Sequence, residues 1–288
     1  MNTAIFDIGK TNKKFFLFDA QMQVLTQDYV RIPETVDEDG FACDDLAAIE
    51  AWMRETLDRT LAVYEVAYLN FSTYGASLVH VDAEGKAVTP LYNYLKPFPD
   101  NLAASFWAKY GPESAWSLRT ASPFLGMLNS GLQLYWLMHC RPAIWRQMTD
   151  SLHFPQYCSF LFSGERRVDY TSLGCHTGLW DMERGGYHAW VEGEGMLHKQ
   201  ASLLGRHKTV LREIGGQQIA IGPGIHDSSA ALLPYLLLDP NPFMLLSTGT
   251  WSICLNPFSQ EPLTASELQA DCLFYLQPNG KQVKASRL

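Results

Sequence analysis

Several absences narrow what this chain of 288 residues can be. Its six cysteines, Cys43, Cys140, Cys158, Cys175, Cys254 and Cys272, form no Cys-x-x-Cys pair, and a chain of this length builds a core without covalent staples. Reduced thiols in a cytoplasmic protein are the expectation. Met1 leads into a strand-like run and not into a basic stretch followed by an apolar one, so no secretory leader is expected. The longest apolar stretch, residues 230–238, is broken by Pro234 and falls far short of the ~20 residues that span a bilayer. Positive charge is in deficit, with 22 Lys and Arg against 30 Asp and Glu. A net charge of −8 offers no general field for nucleic acid or an anionic membrane, although a local basic loop for a small phosphate stays allowed. Gly-x-Ser-x-Gly, His-Glu-x-x-His, a Walker loop and a Gly-x-Gly-x-x-Gly after the first strand are all missing. Cys and His lack metal-ligand spacing, so no zinc site is expected.

What is present reads as α/β. Residues 4–6, 15–18 and 24–32 form a predicted β-meander, its first turn running from Asp7 to Lys14 and its last strand stopped by Pro33. Asp44 or Asp45 is placed to cap a helix in which Leu46, Ile49, Met53, Leu57, Leu61 and Tyr64 make one apolar stripe. A strand over 66–71 leads to Ser72-Thr73-Tyr74-Gly75, and 78–88 reads as a hairpin. Residues 132–138 are the clearest helix of the middle region. A strand over 219–221, a Gly222-Pro223-Gly224 turn and a helix capped at Asp227-Ser228-Ser229 follow.

Pro240 and Pro242 mark a boundary. Beyond it, strands over 243–247 and 251–255 flank Thr248-Gly249-Thr250, which repeats the chain's opening, with Gly9 over Gly249. A hairpin at Asn279-Gly280 closes the sequence, and no later helix follows to cover that sheet. The expectation is one unit over 1–240 and the opening of a second over 241–288, so that the 288 residues end inside a domain.

Three segments are candidates for chemistry. Asp7-Ile8-Gly9-Lys10-Thr11-Asn12-Lys13-Lys14 is either a solvated hairpin turn with a lysine cluster or a phosphate cradle, in which Gly admits backbone donors, hydroxyl and amide groups add neutral ones, and the strand-end acid holds Mg²⁺ through water. Ser247-Thr248-Gly249-Thr250 has the same donor-rich character and the same two readings. Asp227, at a strand-to-helix junction, is either a helix cap or a general base; His226 either orients a substrate hydroxyl or is structural.

In this order the three segments resemble the FGGY carbohydrate kinases of the actin-like ATPase superfamily. The likeness also runs through His153-Phe154-Pro155-Gln156-Tyr157, Phe162-Ser163-Gly164-Glu165, Asp169-Tyr170-Thr171-Ser172 and Gly178-Leu179-Trp180-Asp181, with a flavour of the rhamnulokinase and fuculokinase branches. It implies a ribonuclease-H-like α/β fold and ATP-dependent phosphorylation of a sugar hydroxyl on a ketose, deoxyketose or related polyol. Asp227 would be the catalytic base. Gly9, Thr11, Asn12, Lys14, Thr248, Gly249 and Thr250 would bind the phosphates of ATP, Asp7 would help place Mg²⁺, and Tyr74, Gly75, His226 and Asp227 would meet the sugar. Sugar and ATP are the expected partners, with no nucleic acid and no membrane; a homodimer is admissible. Two departures stand out. Lys10 occupies a position held by a small residue or Thr in many members. Tyr92-Asn93-Tyr94-Leu95-Lys96 stands in place of an Asp-x-Arg-type sugar contact. The family's adenosine-binding segment lies beyond the closing hairpin, so weak nucleotide binding by these 288 residues is expected. The rival classes are a catalytically silent sugar sensor and an actin-like ATPase or chaperone fragment, against which the segment 153–181 argues.

Overall fold

The computed structural model describes residues 1–203, 209–238, 241–248, 252–259 and 261–287. The predicted meander is present as β1 (Thr3–Ile8), β2 (Lys13–Phe18) and β3 (Val24–Val30), paired antiparallel in order. Alternation sets the faces: Ala4, Phe6 and Ile8 of β1 are buried, as are Phe15 and Leu17 of β2. Lys13 falls on the same inward phase as Phe15 and Leu17 and is only 1% exposed.

Helix α1 (Leu46–Leu61) is capped by Asp45, whose side chain accepts from the Ala48 amide. Its buried stripe includes Leu46, Ile49, Met53 and Leu57, and Trp52 meets the edge of the Phe6 ring. Tyr64, expected within the helix, lies past its end. Strand β4 (Tyr68–Thr73) then pairs parallel to β1.

The predicted hairpin over 78–88 forms differently. Strand β5 (Leu78–Val81) takes β6 (Asp150–His153) as its antiparallel partner, while Ala87 adds a single bridge to Val81. The short return segment turns tightly on Asp82, which accepts from Lys86 and Gly85, leaving too little chain for a second strand. Between these strands lies α2 (Ser130–Cys140), the predicted middle helix. After β6 comes α3 (Phe154–Ser163) and then the single turn α4 (Tyr170–Leu173), capped by Asp169.

Strands β7 (Val210–Ile214), β8 (Gln217–Ile221) and β9 (Ile225–His226) complete the large sheet. Its order is β7–β8–β4–β1–β2–β3, with β9 also pairing β4. Because β1, β8 and β9 all run parallel to β4, several strands deliver their C-terminal ends to one edge of the molecule. Helix α5 (Asp227–Leu238) starts there.

A second sheet is built from β10 (Leu245–Ser247), β11 (Ile253–Asn256), β12 (Cys272–Leu276) and β13 (Gln282–Arg287), all antiparallel in the order β10–β11–β13–β12. Gly280, at φ +82°, turns the closing hairpin as expected. The expectation of an uncovered apolar face is corrected here. Leu255, Leu273, Tyr275, Val283 and Ala285 pack on Leu232 of α5 and on Cys175, while Phe274 packs on Ala121 and Leu263. Coverage comes from helices and loops earlier in the chain. Leu237, Leu238, Met244 and Leu246 nevertheless stay exposed. Among the described residues, no helix is long and apolar enough to cross a membrane.

Candidate active site

Strand register assembles the site. Asp7 and Ile225 both face Ser72 across the ladder; Ile8 and His226 both face Thr73. One residue further along lie Gly9, Tyr74 and Asp227. Five of the residues singled out in the sequence therefore meet at the carboxyl ends of three adjacent parallel strands, where open α/β sheets bind their ligands.

Asp227 is the first residue of α5. Its Oδ1 accepts from the Ser228 amide at 2.6 Å and from the Ser228 hydroxyl at 3.2 Å. The side chain is 40% exposed, and among the described residues its second oxygen carries no hydrogen bond. One oxygen is engaged by the next residue, and the other is open.

His226 is buried behind it. Its amide donates to Thr171 Oγ1 at 3.1 Å. Its Nε2 lies 3.2 Å from Asp227 Oδ1 and 3.2 Å from Cys175 Sγ, with Tyr275 of β12 edge-on at 5.4 Å. Burial pushes the imidazole below its ordinary range, with Asp227 opposing, so the ring is neutral near pH 7 and supplies one N–H. Gly75 makes this packing feasible: a Cβ there would lie 2.7 Å from Cys175 Sγ and 3.0 Å from the His226 ring.

Asp7 is half-buried, with Lys14 Nζ at 3.6 Å from its cross-strand position. Burial raises its carboxyl above the usual range, Lys14 opposes this, and the charge of Asp227 raises it further. Two carboxylates that feel each other suit a hard divalent cation completed by waters and phosphate oxygens. Among the described residues, no three His, Cys, Asp or Glu side chains cluster to hold a metal by themselves.

The first turn is not a solvated lysine cluster. The Gly9 amide donates to the Asn12 carbonyl at 2.9 Å. Lys13 Nζ donates to Asp44 Oδ1 and to the Lys10 carbonyl, both at 2.9 Å. Lys10 Nζ meets Asp44 Oδ2 at 2.5 Å and Glu34 at 3.1 Å, and the Tyr74 hydroxyl donates to Asp44 at 2.8 Å. Burial works against the charge on Asp44, but Lys10 and Lys13 outweigh it and hold the carboxyl below its ordinary range. Asn12 Oδ1 accepts from Tyr29 and Arg31. Thr11 is exposed, and its hydroxyl has no partner among the described residues. The departure at 92–96 is absorbed structurally at its ends: Asn93 donates to the Ala42 carbonyl, and Lys96 is buried against Asp37 and Asp39.

Of the second turn, Thr248 is exposed after β10. Gly249, Thr250 and Trp251 lie outside the described residues. The sequence reading missed Asp44, which it weighed only as a helix cap, together with Thr171, Cys175 and Tyr275 around His226. The inward phase of Lys13 was the signal for Asp44, because a lysine facing a core requires a carboxylate.

This fold and this row of strand-end groups define the class: the ribonuclease-H-like, actin-like ATPase fold as sugar kinases carry it. A carbohydrate kinase from Novosphingobium aromaticivorans superposes with a TM-score of 0.85 at 26% identity, over 99% of this chain and 63% of that one. A xylulose kinase from Lactobacillus acidophilus superposes with a TM-score of 0.80 at 16% identity, over 99% and 60%. Rhamnulokinases are similar in sequence: that of Halalkalibacterium halodurans is 24% identical over 259 residues, 86% of this chain and 54% of that protein, and that of Mannheimia succiniciproducens 24% over 267 residues, 88% and 53%. No family model matches. The chain is similar to these carbohydrate kinases in fold and in sequence, and it spans about half the length of the curated relatives it matches.

Proposed function

We propose that this chain carries the sugar-binding and first phosphate-binding parts of an ATP-dependent carbohydrate kinase acting in the cytoplasm. The observation that supports this most is the strand register, which brings Asp7, Gly9, Tyr74 and Asp227 to one edge, with one Asp227 oxygen free of hydrogen bonds among the described residues. Residues 1–240 form the first domain and 241–288 the start of the second.

Asp227 accepts the proton of a sugar hydroxyl as that oxygen attacks the γ-phosphorus of ATP. The new O–P bond forms as the bond from phosphorus to the β,γ-bridging oxygen breaks, and ADP leaves. His226, neutral, holds Asp227 Oδ1 through Nε2 and keeps the free oxygen turned outward. Gly9, Thr11, Asn12 and Lys14 surround the phosphates on one side, Lys14 offsetting their charge, and Thr248, Gly249 and Thr250 do so on the other. Gly75 and the edge of Tyr74 border the sugar; the Tyr74 hydroxyl itself serves Asp44. Mg²⁺, beside Asp7, would neutralise charge on the phosphate oxygens.

The sugar is a ketose, deoxyketose or related polyol, a choice supported by the names of the sequence relatives. A coupled ADP-release screen over ketoses and deoxyketoses, run on the natural gene product, tests the reading. Sugar-dependent ADP release is expected; sugar binding without any ADP release, or ATP hydrolysis indifferent to every sugar, would refute it.

A further inference from the structure

The mechanism leaves the buried network at Asp44 without a task. It joins two lysines of the phosphate turn to the tyrosine on the sugar side. Lys13 is 1% exposed and Asp44 4%, so neither charge is placed to meet a ligand directly. Burying an ion pair is costly unless its geometry is fully satisfied, so what these two groups hold in place deserves identification.

They hold one peptide. The turn is closed by the Gly9 amide on the Asn12 carbonyl, which makes Lys10–Thr11 its central peptide. A flip of that central peptide would reverse which side carries its N–H. Lys13 Nζ donates to the Lys10 carbonyl, turning it toward the buried lysine. A trans peptide is planar with its C=O and N–H opposed, so the Thr11 N–H points away from Lys13, and Thr11 itself is exposed. Asp44 in turn fixes Lys13 and draws the Lys10 side chain off the outer face of the turn.

We propose that Asp44 is a positioning residue for the phosphate turn, acting through Lys13 to hold the Lys10–Thr11 peptide with the Thr11 N–H facing the phosphate. It touches no reacting atom. The inference rests on the kinase reading above and adds to it the residues that preset the donor geometry, at the place where Lys10 departs from the family pattern.

The test compares steady-state kinetics of the natural gene product with its Lys13→Met, Asp44→Asn and doubly substituted forms, using MgATP and the best sugar from the screen. Lys13→Met leaves Asp44 paired with Lys10 and Tyr74, so the fold should survive. Loss of one charge-assisted anchor should raise KM for MgATP ~10-fold, with the sugar KM within about twofold. The double variant should be no more than about twofold worse than Lys13→Met, because both changes act on the same peptide. An unchanged MgATP KM in Lys13→Met, an equal rise in both KM values, or multiplicative effects would each overturn the inference. If Asp44→Asn does not fold, Lys13→Met alone decides. A wild type without sugar-dependent ADP release removes the kinase reading and this inference with it; an active wild type with any of the three failing patterns removes the inference alone.

Discussion

Asp44 and Asp227 both stand beside Tyr74, one bonded to its hydroxyl and the other following the strand residue that pairs with Thr73. Asp44 is buried and spends both oxygens on Lys10, Lys13 and Tyr74. Asp227 is 40% exposed and spends one oxygen on its own helix and His226. A carboxylate enclosed by cations has its charge and direction fixed and has no lone pair to offer. A carboxylate fixed through one oxygen keeps direction and still accepts a proton. One substitution made at both places should therefore break the two in opposite ways.

The largest effect is expected at Asp227. Asp227→Asn keeps the shape and the Ser228 bonds while removing the base, so kcat should fall ~10²–10⁴-fold, the scale of general-base catalysis. Thermal stability should stay within about 0.5 kcal/mol, as for most exposed changes. Near-normal turnover would reverse the assignment. At Asp44 the order inverts. Asp44→Asn strips the counter-charge from a buried Lys13, a change that costs about 3 kcal/mol or more where a buried pair is broken. Urea denaturation reads it; a loss under about 1 kcal/mol would mean that the network is solvated and carries little.

The two regions also differ in how well they could be read beforehand. The meander, α1, the α2 stretch and the closing hairpin were legible because alternation, a 3.6-residue stripe and Asn-Gly are local signals. Asp227 was legible as a strand-to-helix acid. Asp44 was not, since its partners lie 30–34 positions away and the continuous run Phe15-Phe16-Leu17-Phe18 hides the alternation that would place Lys13 inward. The β5–β6 pairing was hidden for the same reason: its partners are separated by about seventy residues, and a nearby turn suggested a local hairpin instead.

Acid offers a third separation. His153 is buried with neither ring nitrogen hydrogen-bonded among the described residues. Burial first, and the charge of His226 second, push its pKa from 6.5 to about 4. Between these values the unfolded chain binds a proton that the folded chain does not. The contribution of His153 to stability is therefore complete above pH 6.5 and declines as the pH falls toward 4. The Asp44 network behaves otherwise. With its folded pKa depressed below 3.8, its contribution is present above that value and is lost only in stronger acid. Mild acid should therefore loosen the His226 side first. His153→Leu should flatten the slope by up to about 3 kcal/mol near pH 4, measured as urea midpoints at pH 4.5 and 7.5. An unchanged slope would mean that this ring is not held neutral by the fold.

The smallest effect is the most local. Gly75 leaves room at the strand ends: a Cβ would stand 2.7 Å from Cys175 Sγ and 3.0 Å from Nε2 of His226. Both neighbours are buried, so neither moves freely, and Gly75→Ala should cost about 1–2 kcal/mol by overpacking. Its kinetic consequence discriminates more finely. If Gly75 only admits the His226 ring, the displaced ring disturbs the Nε2 contact to Asp227 and kcat falls while the sugar KM holds. If Gly75 borders the sugar itself, as the family resemblance implies, the added methyl enters the sugar's space and KM rises instead. Cys175→Ala removes the nearest clash and separates the two: paired with Gly75→Ala, it should restore kcat in the first case and leave the raised KM untouched in the second.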